Sequence, residues 1–325
     1  MLERTRFVLL RLAQAVPAVF AIAALNFALL HMAPGDAADV IVASSGHGSP
    51  ELVAELRRSY GLDQPLHVQF AVYIGRILTF DLGVSLIQNR PVLELIGERL
   101  GATLILMLSS ISIAVFVGVA LGILAALRHR TWLDGALTVA ALVVYATPQF
   151  WLGLMLIVGF SLTLGLFPSN GMRTIGAEFG AIASVLDIAR HLALPAATLG
   201  LFYVALYTRL MRTAMLDILT LDYIKTARAK GLSEFTVAVR HAARNALLPV
   251  VTMMGLQIGH LLGGSILVET VFGWPGLGRL VLDALIQRDL VLLLGILFIS
   301  SIVVVATNIA VDVAYGFLDP RLSRR

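Results

Sequence analysis

Polar side chains interrupt the long apolar segments of this chain at few positions, and these positions are the first candidates for chemistry. Five of them are Asn26, Gln149, Gln257, His260 and Asn308. Gln257 and His260 are three residues apart, so they share one face of a helix. An amide and an imidazole on one face can hydrogen-bond a solute that passes along the helix, or they can hydrogen-bond a neighbouring helix. The sequence leaves both interpretations open.

Small residues accompany these two side chains on the same segment, where glycine recurs at Gly255, Gly259, Gly263 and Gly264. Small residues at four-residue spacing allow helices to pack closely. We interpret the segment as lining a transport pathway, with Gln257, Gly259 and His260 as the candidate residues. Hydrogen bonding between packed helices is the alternative for each of the two polar side chains.

The sequence lacks the motifs that would indicate an enzyme. It contains no G-x-x-x-x-G-K-[ST] phosphate loop, no H-E-x-x-H zinc motif and no G-x-S-x-G nucleophile elbow. Its seven histidines include no i, i+4 pair, and the absence of Cys excludes disulfides, thiolate metal sites and Cys nucleophiles. We therefore predict no catalytic residue, no metal site and no cofactor in this chain.

Two other classes of membrane protein fit the sequence less well. An intramembrane hydrolase needs paired acids or a Ser–His pair inside its spans, and the apolar segments show neither. A secondary transporter usually carries a buried charge for ion coupling, and charged residues are scarce in the same segments. Since a charge at the bilayer centre costs at least ~2.5–3.5 kcal/mol on insertion scales, this scarcity indicates a neutral pathway.

Long apolar segments must position these residues. Apolar residues make up 58% of the 325 residues and charged residues 14%, which is too little polar surface for a soluble globule. A helix needs roughly 20 mostly apolar residues to cross the hydrocarbon of a bilayer. Six segments qualify and predict an all-α integral membrane protein with six transmembrane helices: 7–31, 102–127, 135–167, 192–215, 246–268 and 290–317.

Details of these segments refine the prediction. The first is too long for the apolar core of a signal peptide, so we expect it to remain as an uncleaved span. Gly118 and Gly122 in the second are expected to serve helix packing. Pro148 predicts a kink or break in the third.

The segments between the spans complete the predicted organisation: an N-terminal transmembrane helix at 1–33, an external segment at 34–101, a five-helix core at 102–317 that includes a loop at 216–245, and a tail at 318–325. In the external segment, Ser49-Pro50-Glu51 predicts the start of one amphipathic helix, and 68–78 predicts a second.

Basic residues predict the orientation of the spans, because Lys and Arg accumulate in cytoplasmic loops. Both lysines, Lys225 and Lys230, and most arginines fall on the side that would hold the two termini. Acidic residues outnumber basic ones on the other side. We therefore predict that the termini and the 216–245 loop are cytoplasmic and that the 34–101 segment is external.

The 216–245 loop carries the most detailed local pattern. Asp222 predicts an N-terminal cap for a short helix that ends near Lys230, and Gly231 occupies the position that a helix C-terminal cap prefers. Ser233 and Glu234 predict the start of the next helix.

Two interpretations fit the surface of the first of these helices. Ala227 and Ala229 keep one side flat, which suits insertion into a groove of a protein partner. A basic loop that lies on anionic lipid is the alternative.

The loop resembles the signature of ABC-importer permeases, in which Glu-Ala-Ala is followed by a glycine. Here Lys225-Thr226-Ala227 stands in place of Glu-Ala-Ala, with Gly231 at the matching offset. The first Glu is missing and the closing Leu248-Pro249 comes late. Further strings resemble the dipeptide, oligopeptide and nickel branch of that family: APGD at 33–36, YGLDQPL at 60–66, FDLGVSL at 80–86, TPQFWLGL at 147–154, VETVFGWPGLGRL at 268–280 and YGFLDPRL at 315–322.

The resemblance implies the type I ABC importer permease (MetI-like) fold and the role of a B-type subunit in a bacterial inner membrane. Such a chain would form half of the translocation pathway together with a second, C-type permease subunit. Two ABC ATPase subunits would bind ATP and Mg²⁺, and an extracytoplasmic substrate-binding protein would deliver the cargo. Membrane lipid is a further expected partner, and nucleic acid is not. The cargo would be a dipeptide or oligopeptide, with nickel, glutathione or an oligosaccharide as alternatives.

The resemblance also assigns the short helix as a coupling helix that contacts a groove on one ATPase subunit through Asp222, Tyr223, Thr226, Ala227, Arg228, Lys230, Gly231 and Glu234. Gly231 would let the chain reverse direction, and a side chain larger than that of Ala227 would hold the helix away from its groove. Arg228 and Lys230 would pair with acidic groups of the ATPase, or they would lie against lipid.

The string VETVFGWPGLGRL is rich in turn formers. Trp274, Pro275 and Gly276 predict a turn at the external membrane face. This turn would be an external gate or a contact with the binding protein, and an interfacial anchor is the alternative for Trp274.

Overall fold

The computed structural model describes residues 2–32, 58, 63–85, 87–177 and 179–318. Within these ranges the side chains are described except at 2–12, 256, 258–262, 264 and 311–318. The amphipathic helix predicted to begin at Ser49-Pro50-Glu51 lies outside the described residues.

The described chain is mostly helical, which confirms the all-α prediction. Its N-terminal part contains α1 (Leu2–Met32), α2 (Leu66–Leu78) and an antiparallel pair of short strands, β1 (Val84–Ser85) and β2 (Arg90–Pro91). There follow α3 (Val92–Leu127), α4 (Trp132–Ala146), α5 (Gln149–Leu156) with a π-helical continuation at Ile157–Thr163, and α6 (Ala181–Leu219). The C-terminal part contains α7 (Asp222–Ala229), α8 (Glu234–Thr236) with a π-helical continuation at Val237–Ala242, α9 (Ala243–Val271), α10 (Leu277–Ile286) and α11 (Leu290–Leu318).

Four stretches of the described helices are long and apolar enough to cross a membrane: Ala13–Met32, Val92–Leu127, Ala181–Leu219 and Leu290–Ala310. A fifth arises if α4 and the helix Gln149–Thr163 form one broken span. The predicted span 246–268 falls within α9, part of whose side chains lie outside the described residues. These helices are compatible with the six predicted spans.

The break in the third predicted span lies at Pro148. Thr147 before it has an extended backbone (φ −79°, ψ 128°), as expected for a residue that precedes proline. Pro148 then stands directly before the first turn of α5, where its missing N–H leaves no helical bond unmade. The predicted kink is confirmed, and the two helices bend by 107° at this point.

The chain divides into two compact units, residues 1–99 with 280–325 and residues 100–279. In the first unit α1 packs along α11, and Asn26 Nδ2 donates to Leu294 O at 3.4 Å. Helix α2 packs on α1 through edge contacts of Phe70 with Phe20 and Phe27. The amphipathic helix predicted at 68–78 is therefore confirmed in position.

The strand pair of the first unit is joined to the start of α11. The hydroxyl of Ser85, a fully buried residue, donates to Asp289 Oδ2. Asp289 Oδ1 in turn accepts from the Leu292 N–H at 3.1 Å. Because an acidic side chain at a helix start satisfies an otherwise unpaired N–H, Asp289 caps α11 and holds the strands beside it.

In the second unit α4, α5 and α9 all pack against α6. Helix α3 approaches α6 closely at two of its glycines. A Cβ atom at Gly118 would lie 2.9 Å from Tyr207 Cβ, and one at Gly122 would lie 2.6 Å from Met211 Cβ. The predicted packing role of these two glycines is thereby confirmed.

Candidate functional site

The short helix α7 forms where the sequence predicts it, but its N-terminal cap is Leu221 and not Asp222. Leu221 has an extended backbone (φ −71°, ψ 151°), and Asp222 is the first helical residue. Asp222 Oδ1 accepts from Lys225 Nζ at 2.8 Å. Since a negative charge in the first turn also complements the helix dipole, Asp222 stabilises the start of α7 from one position further along than predicted.

Gly231 ends this helical turn as predicted. Its φ is +77°, and its N–H donates to Arg228 O at 2.9 Å. A Cβ atom at this position would meet no atom within 4 Å. The requirement for glycine is therefore one of backbone conformation and not of space. Ser233 Oγ accepts from the Thr236 N–H at 3.3 Å, which confirms the predicted start of the next helix.

Arg228 and Glu234 form an ion pair across the Gly231 turn. Arg228 Nε donates to Glu234 Oε1 at 2.8 Å, and Arg228 Nη2 donates to Glu234 Oε2 at 3.1 Å. Two parallel bonds from a guanidinium to a carboxylate fix orientation as well as distance. The guanidinium of Arg228 is thus engaged within the chain, and its predicted pairing with acidic groups of a partner stays a prediction.

Ala227 faces the interior of its own chain. It is 7% exposed, and Ile224 on the same side of α7 is fully buried. Helix α7 packs on the π-helical segment Val237–Ala242. The prediction that Ala227 faces a partner's groove is therefore wrong, and a larger side chain at Ala227 would push α7 away from its own support.

The outer surface of α7 and α8 combines apolar and cationic side chains. Its exposed members are Leu221, Asp222, Tyr223, Lys225, Thr226, Arg228, Ala229, Lys230, Gly231, Leu232, Ser233, Glu234 and Phe235; we call this set the α7–α8 surface. Phe235 is 71% exposed. Tyr223 additionally links α7 to α9, since its hydroxyl accepts from Asn245 Nδ2 at 2.9 Å. Of the eight residues predicted for coupling, seven are exposed, including Gly231. The eighth, Ala227, is buried.

A charged cluster that the sequence pattern did not single out lies near the start of α4. Arg212 donates two hydrogen bonds to Asp134, from Nε to Oδ1 at 2.6 Å and from Nη2 to Oδ2 at 2.8 Å. His129 Nδ1 lies 3.3 Å from both Asp134 Oδ2 and Arg212 Nη2. Asp134 is only 5% exposed. In the sequence, Asp134 is only an acidic residue beside an apolar segment and Arg212 a distant basic residue, so the sequence does not show that they pair.

A second cluster that the sequence pattern did not single out surrounds Glu269 at the end of α9. Glu269 is fully buried, and its carboxylate accepts from Thr103 Oγ1 at 2.8 Å and from the Arg279 N–H at 3.0 Å. Thr103 Oγ1 also accepts from the Leu277 N–H at 2.7 Å. These two donors to Glu269, the Thr103 hydroxyl and the Arg279 N–H, are uncharged. The Arg279 N–H lies in the first turn of α10, where the helix dipole favours an anion.

Two glycines make this cluster possible. A Cβ atom at Gly276 would overlap the Glu269 carboxylate, and one at Gly278 would lie 2.7 Å from Ile266 Cα. The glycines of the string GWPGLG therefore permit close approach of the turn to α9, beyond their role as turn formers.

Trp274 supports the same turn from inside. It is fully buried, and its indole Nε1–H donates to Ala102 O at 2.9 Å. A side chain with no exposed surface fits neither a receptor contact nor an interfacial anchor, so these two interpretations are corrected for Trp274, and the external gate stays a prediction. Pro275, its neighbour, is partly exposed.

The structure describes only part of the predicted pathway segment. Gln257 is partly exposed on α9, while the side chain of His260 and the surroundings of Gly259 lie outside what is described. Gly263 is exposed, and a Cβ atom there would meet no atom within 4 Å. Within the second unit, close helix packing therefore does not explain the glycine at position 263. Among the described residues, no group of three or more His, Asp or Glu could hold a metal ion.

Two family models match this chain. Residues 118–324 match the family described as binding-protein-dependent transport system inner membrane component. Residues 4–108 match the N-terminal membrane component of the same kind of system.

Relatives align with the chain over nearly its whole length. A putative peptide transport system permease protein of Brucella abortus (strain 2308) is 40% identical over 318 residues, which cover 98% of this chain and 99% of that protein. The oligopeptide transport system permease protein AppB of Bacillus subtilis is 38% identical over 321 residues, 97% of this chain and 98% of AppB. The glutathione transport system permease protein GsiC of Salmonella choleraesuis is 41% identical over 316 residues, 97% of this chain and 98% of GsiC.

Proposed function

The chain belongs to the family of binding-protein-dependent transport system inner membrane components, and we propose that it is the permease subunit of an ATP-driven importer of peptides. As a component of this kind it is a transporter subunit and not an enzyme. The observation that carries the proposal is full-length similarity to permeases named for peptide and oligopeptide transport.

The α7–α8 surface is the proposed contact with an ATPase subunit. Helix α7 follows α6 after only Thr220 and Leu221, and it is attached to the next long helix, α9, through Tyr223 and Asn245. A short helix that is joined to two long apolar helices can transmit a displacement to both of them. Phe235, Lys225 and Lys230 are all exposed on this surface, which suits a groove that has an apolar floor and acidic groups.

A complete importer requires further subunits. We propose a second permease subunit of C type, two ABC ATPase subunits that bind ATP and Mg²⁺, and an extracytoplasmic substrate-binding protein. The basic residues of the 216–245 loop support a cytoplasmic position for this loop and for both termini. The multi-pass inner-membrane location follows from the family and from the apolar helices.

One face of α9 is the proposed wall of the translocation pathway. Thr252, Gly263, Leu267 and Thr270 are exposed and lie on one side of this helix. Gln257, Gly259 and His260 remain proposed contributors on the same helix. A surface with no charged side chain among its described members suits a cargo that is selected by a separate receptor.

Glutathione is a second candidate cargo, because GsiC, which is named for glutathione transport, is as similar to this chain as the peptide permeases are. Glutathione is itself a short peptide, so the two candidates share their chemistry. The binding protein, and not this chain, is expected to discriminate between them.

The test is uptake by the reconstituted importer in proteoliposomes. We expect uptake of a dipeptide, an oligopeptide or glutathione that requires ATP, the ATPase subunits and the binding protein. The matched control omits the ATPase subunits and keeps every other component. Uptake that persists in this control would contradict an ATP-driven importer and favour a self-contained transporter.

A further inference from the structure

An ion pair fixes the start of α4 to α6. The guanidinium of Arg212 donates to both carboxylate oxygens of Asp134, at 2.6 and 2.8 Å. The side chain of Asp134 is 7% exposed and that of Arg212 is 25% exposed. Because two parallel bonds set orientation as well as distance, α4 cannot slide or rotate along α6 without breaking both.

The turn between α3 and α4 is folded around the same carboxylate. The Arg130 N–H donates to Asp134 Oδ2 at 3.1 Å, and His129 Nδ1 lies 3.3 Å from that oxygen. Arg130 has a φ of +62°, a conformation that is unfavourable for a non-glycine residue because its Cβ crowds the following carbonyl oxygen. The hydrogen bond to Asp134 offsets this cost, so the turn and the ion pair support each other.

Helix α3 contacts the same stretch of α6. The glycines at 118 and 122 let its backbone approach Tyr207 and Met211, and Met211 directly precedes Arg212. A Cβ atom at Gly122 would also lie 2.8 Å from Thr208 O. Helices α3 and α4 are therefore both held at one level of α6, the first by close packing and the second by the ion pair.

This level of α6 lies close to α7 along the chain. Helix α6 continues without interruption from Ala181 to Leu219, and α7 begins at Asp222. A displacement applied to α7 is therefore applied to the end of α6 that carries Arg212. Whether α4 follows depends on the contacts that join it to this end.

We propose that Asp134 and Arg212 are positioning residues for energy coupling, which make α4 move with α6 when an ATPase displaces α7. The inference rests on the proposed function, in which the α7–α8 surface receives the ATPase. Without the ion pair, the end of α6 would slide along α4. Part of the displacement that the ATPase applies to α7 would then not reach α4.

The first test is the number of ATP molecules hydrolysed for each substrate molecule imported by the reconstituted complex. In Asp134→Asn we expect a several-fold increase in this ratio, with unchanged co-purification of the ATPase. The matched control is Asp217→Asn, which removes an exposed carboxylate from the same end of α6 and should leave the ratio unchanged.

The outcomes separate this inference from the proposed function. An unmodified chain that fails to co-purify with an ATPase would contradict the proposed function. An unchanged ratio in an assembled Asp134→Asn complex would contradict the role of the ion pair alone. Where the Asn variant fails to assemble, Arg212→Lys takes its place, since Lys keeps the charge but not the two parallel bonds; a ratio equal to that of the unmodified complex would again overturn the inference.

The second test measures the movement itself, because a merely structural role would not alter it. The chain has no Cys, so Trp132→Cys on α4 and Thr213→Cys on α6, both exposed positions, can carry a pair of spin labels. We expect the label distance in the complex to stay constant when a non-hydrolysable ATP analogue is added, and to shift when Asp134→Asn is also present. Equal shifts with and without that substitution would overturn the inference.

Discussion

Thr103 and Glu269 are hydrogen bonded across two helices of the second unit, with Thr103 Oγ1 donating to Glu269 Oε1 at 2.8 Å. The same hydroxyl oxygen accepts from the Leu277 N–H at 2.7 Å. One hydroxyl thus joins α3, the end of α9 and the start of α10, and all its partners are shielded from solvent. The turn that contains Trp274 is built around this junction.

The hydroxyl of Thr103 is the simplest part of this junction to remove. We expect Thr103→Val to lower the stability of the purified complex by about 1–3 kcal/mol, because the Leu277 N–H and the Glu269 carboxylate each lose a buried partner. Thr103→Ser keeps the hydroxyl and is the matched control. Thermal unfolding in detergent measures the difference, and equal midpoints for the two variants would show that the junction contributes nothing.

Gly122 tests the close contact of α3 with α6. We expect Gly122→Ala to destabilise the complex by about 1–3 kcal/mol, because the added methyl group would lie 2.6 Å from Met211 Cβ and force the helices apart. Gly135→Ala is the control, since a Cβ atom there meets no atom within 4 Å. The control should be neutral or slightly stabilising by thermal unfolding. A Gly122→Ala variant as stable as the control would contradict the contact.

Arg228 and Glu234 test whether the ion pair within the loop or a contact with the ATPase governs coupling. We expect Arg228→Glu and Glu234→Arg to reduce ATPase stimulation by the loaded binding protein several-fold when introduced singly. The double variant should recover much of this loss, since it restores an opposite pair at the same spacing. Because an exposed ion pair is worth only ~0–1 kcal/mol, expression and assembly should remain normal. A double variant as impaired as the worse single one would favour direct contact of these side chains with the ATPase.

Gly231 tests the backbone conformation of the turn between α7 and α8. We expect Gly231→Val to abolish stimulated ATP hydrolysis while the chain remains in the membrane, because a β-branched residue is disfavoured at a φ of +77°. Gly231→Asn should retain much of the activity, since Asn tolerates this conformation and the site has open space around it. Equal activities of the two variants would show that conformation is not what position 231 requires.

Gly263 tests the proposed pathway face of α9. We expect Gly263→Phe to assemble normally, because a Cβ atom there meets no atom within 4 Å, and to reduce uptake strongly by filling the space beside the helix. Gly263→Ala adds only a methyl group, is the matched control and should transport normally. Loss of assembly in the Phe variant would instead place a partner subunit against this face. Normal uptake by an assembled Phe variant would remove the face from the pathway.

The local sequence correctly predicted where the helices of the 216–245 loop lie. It did not predict which side of α7 packs against the rest of the chain. The turn at Gly231 and the cap at Ser233 follow from residues a few positions apart, whose preferences act within one helical turn. The side of α7 that Ala227 occupies depends on the segment Val237–Ala242 that packs beneath it. A small side chain is equally suited to a partner's groove and to its own chain, so the sequence pattern could not separate the two.

Trp274 shows the same limit at the other end of α9. Its neighbours Pro275 and Gly276 correctly predict a turn, because these residues favour turn conformations wherever they stand. The hydrogen-bond partner of its indole N–H is Ala102 O, which lies 172 positions away in the sequence. An aromatic side chain beside an apolar run is compatible with an anchor, a contact or a core position, and only the distant partner decides between them.

By itself, the sequence determined that this protein is a bundle of membrane helices with a short helix, a glycine turn and a second helix between two of its spans, because hydrophobicity and capping act through near neighbours. The tertiary structure alone decided which charged and polar groups meet. Asp134 finds Arg212 across 78 positions and Glu269 finds Thr103 across 166. A buried polar or charged side chain needs a hydrogen-bonding or oppositely charged partner. Helix packing, and not distance along the chain, decides which partner lies within reach.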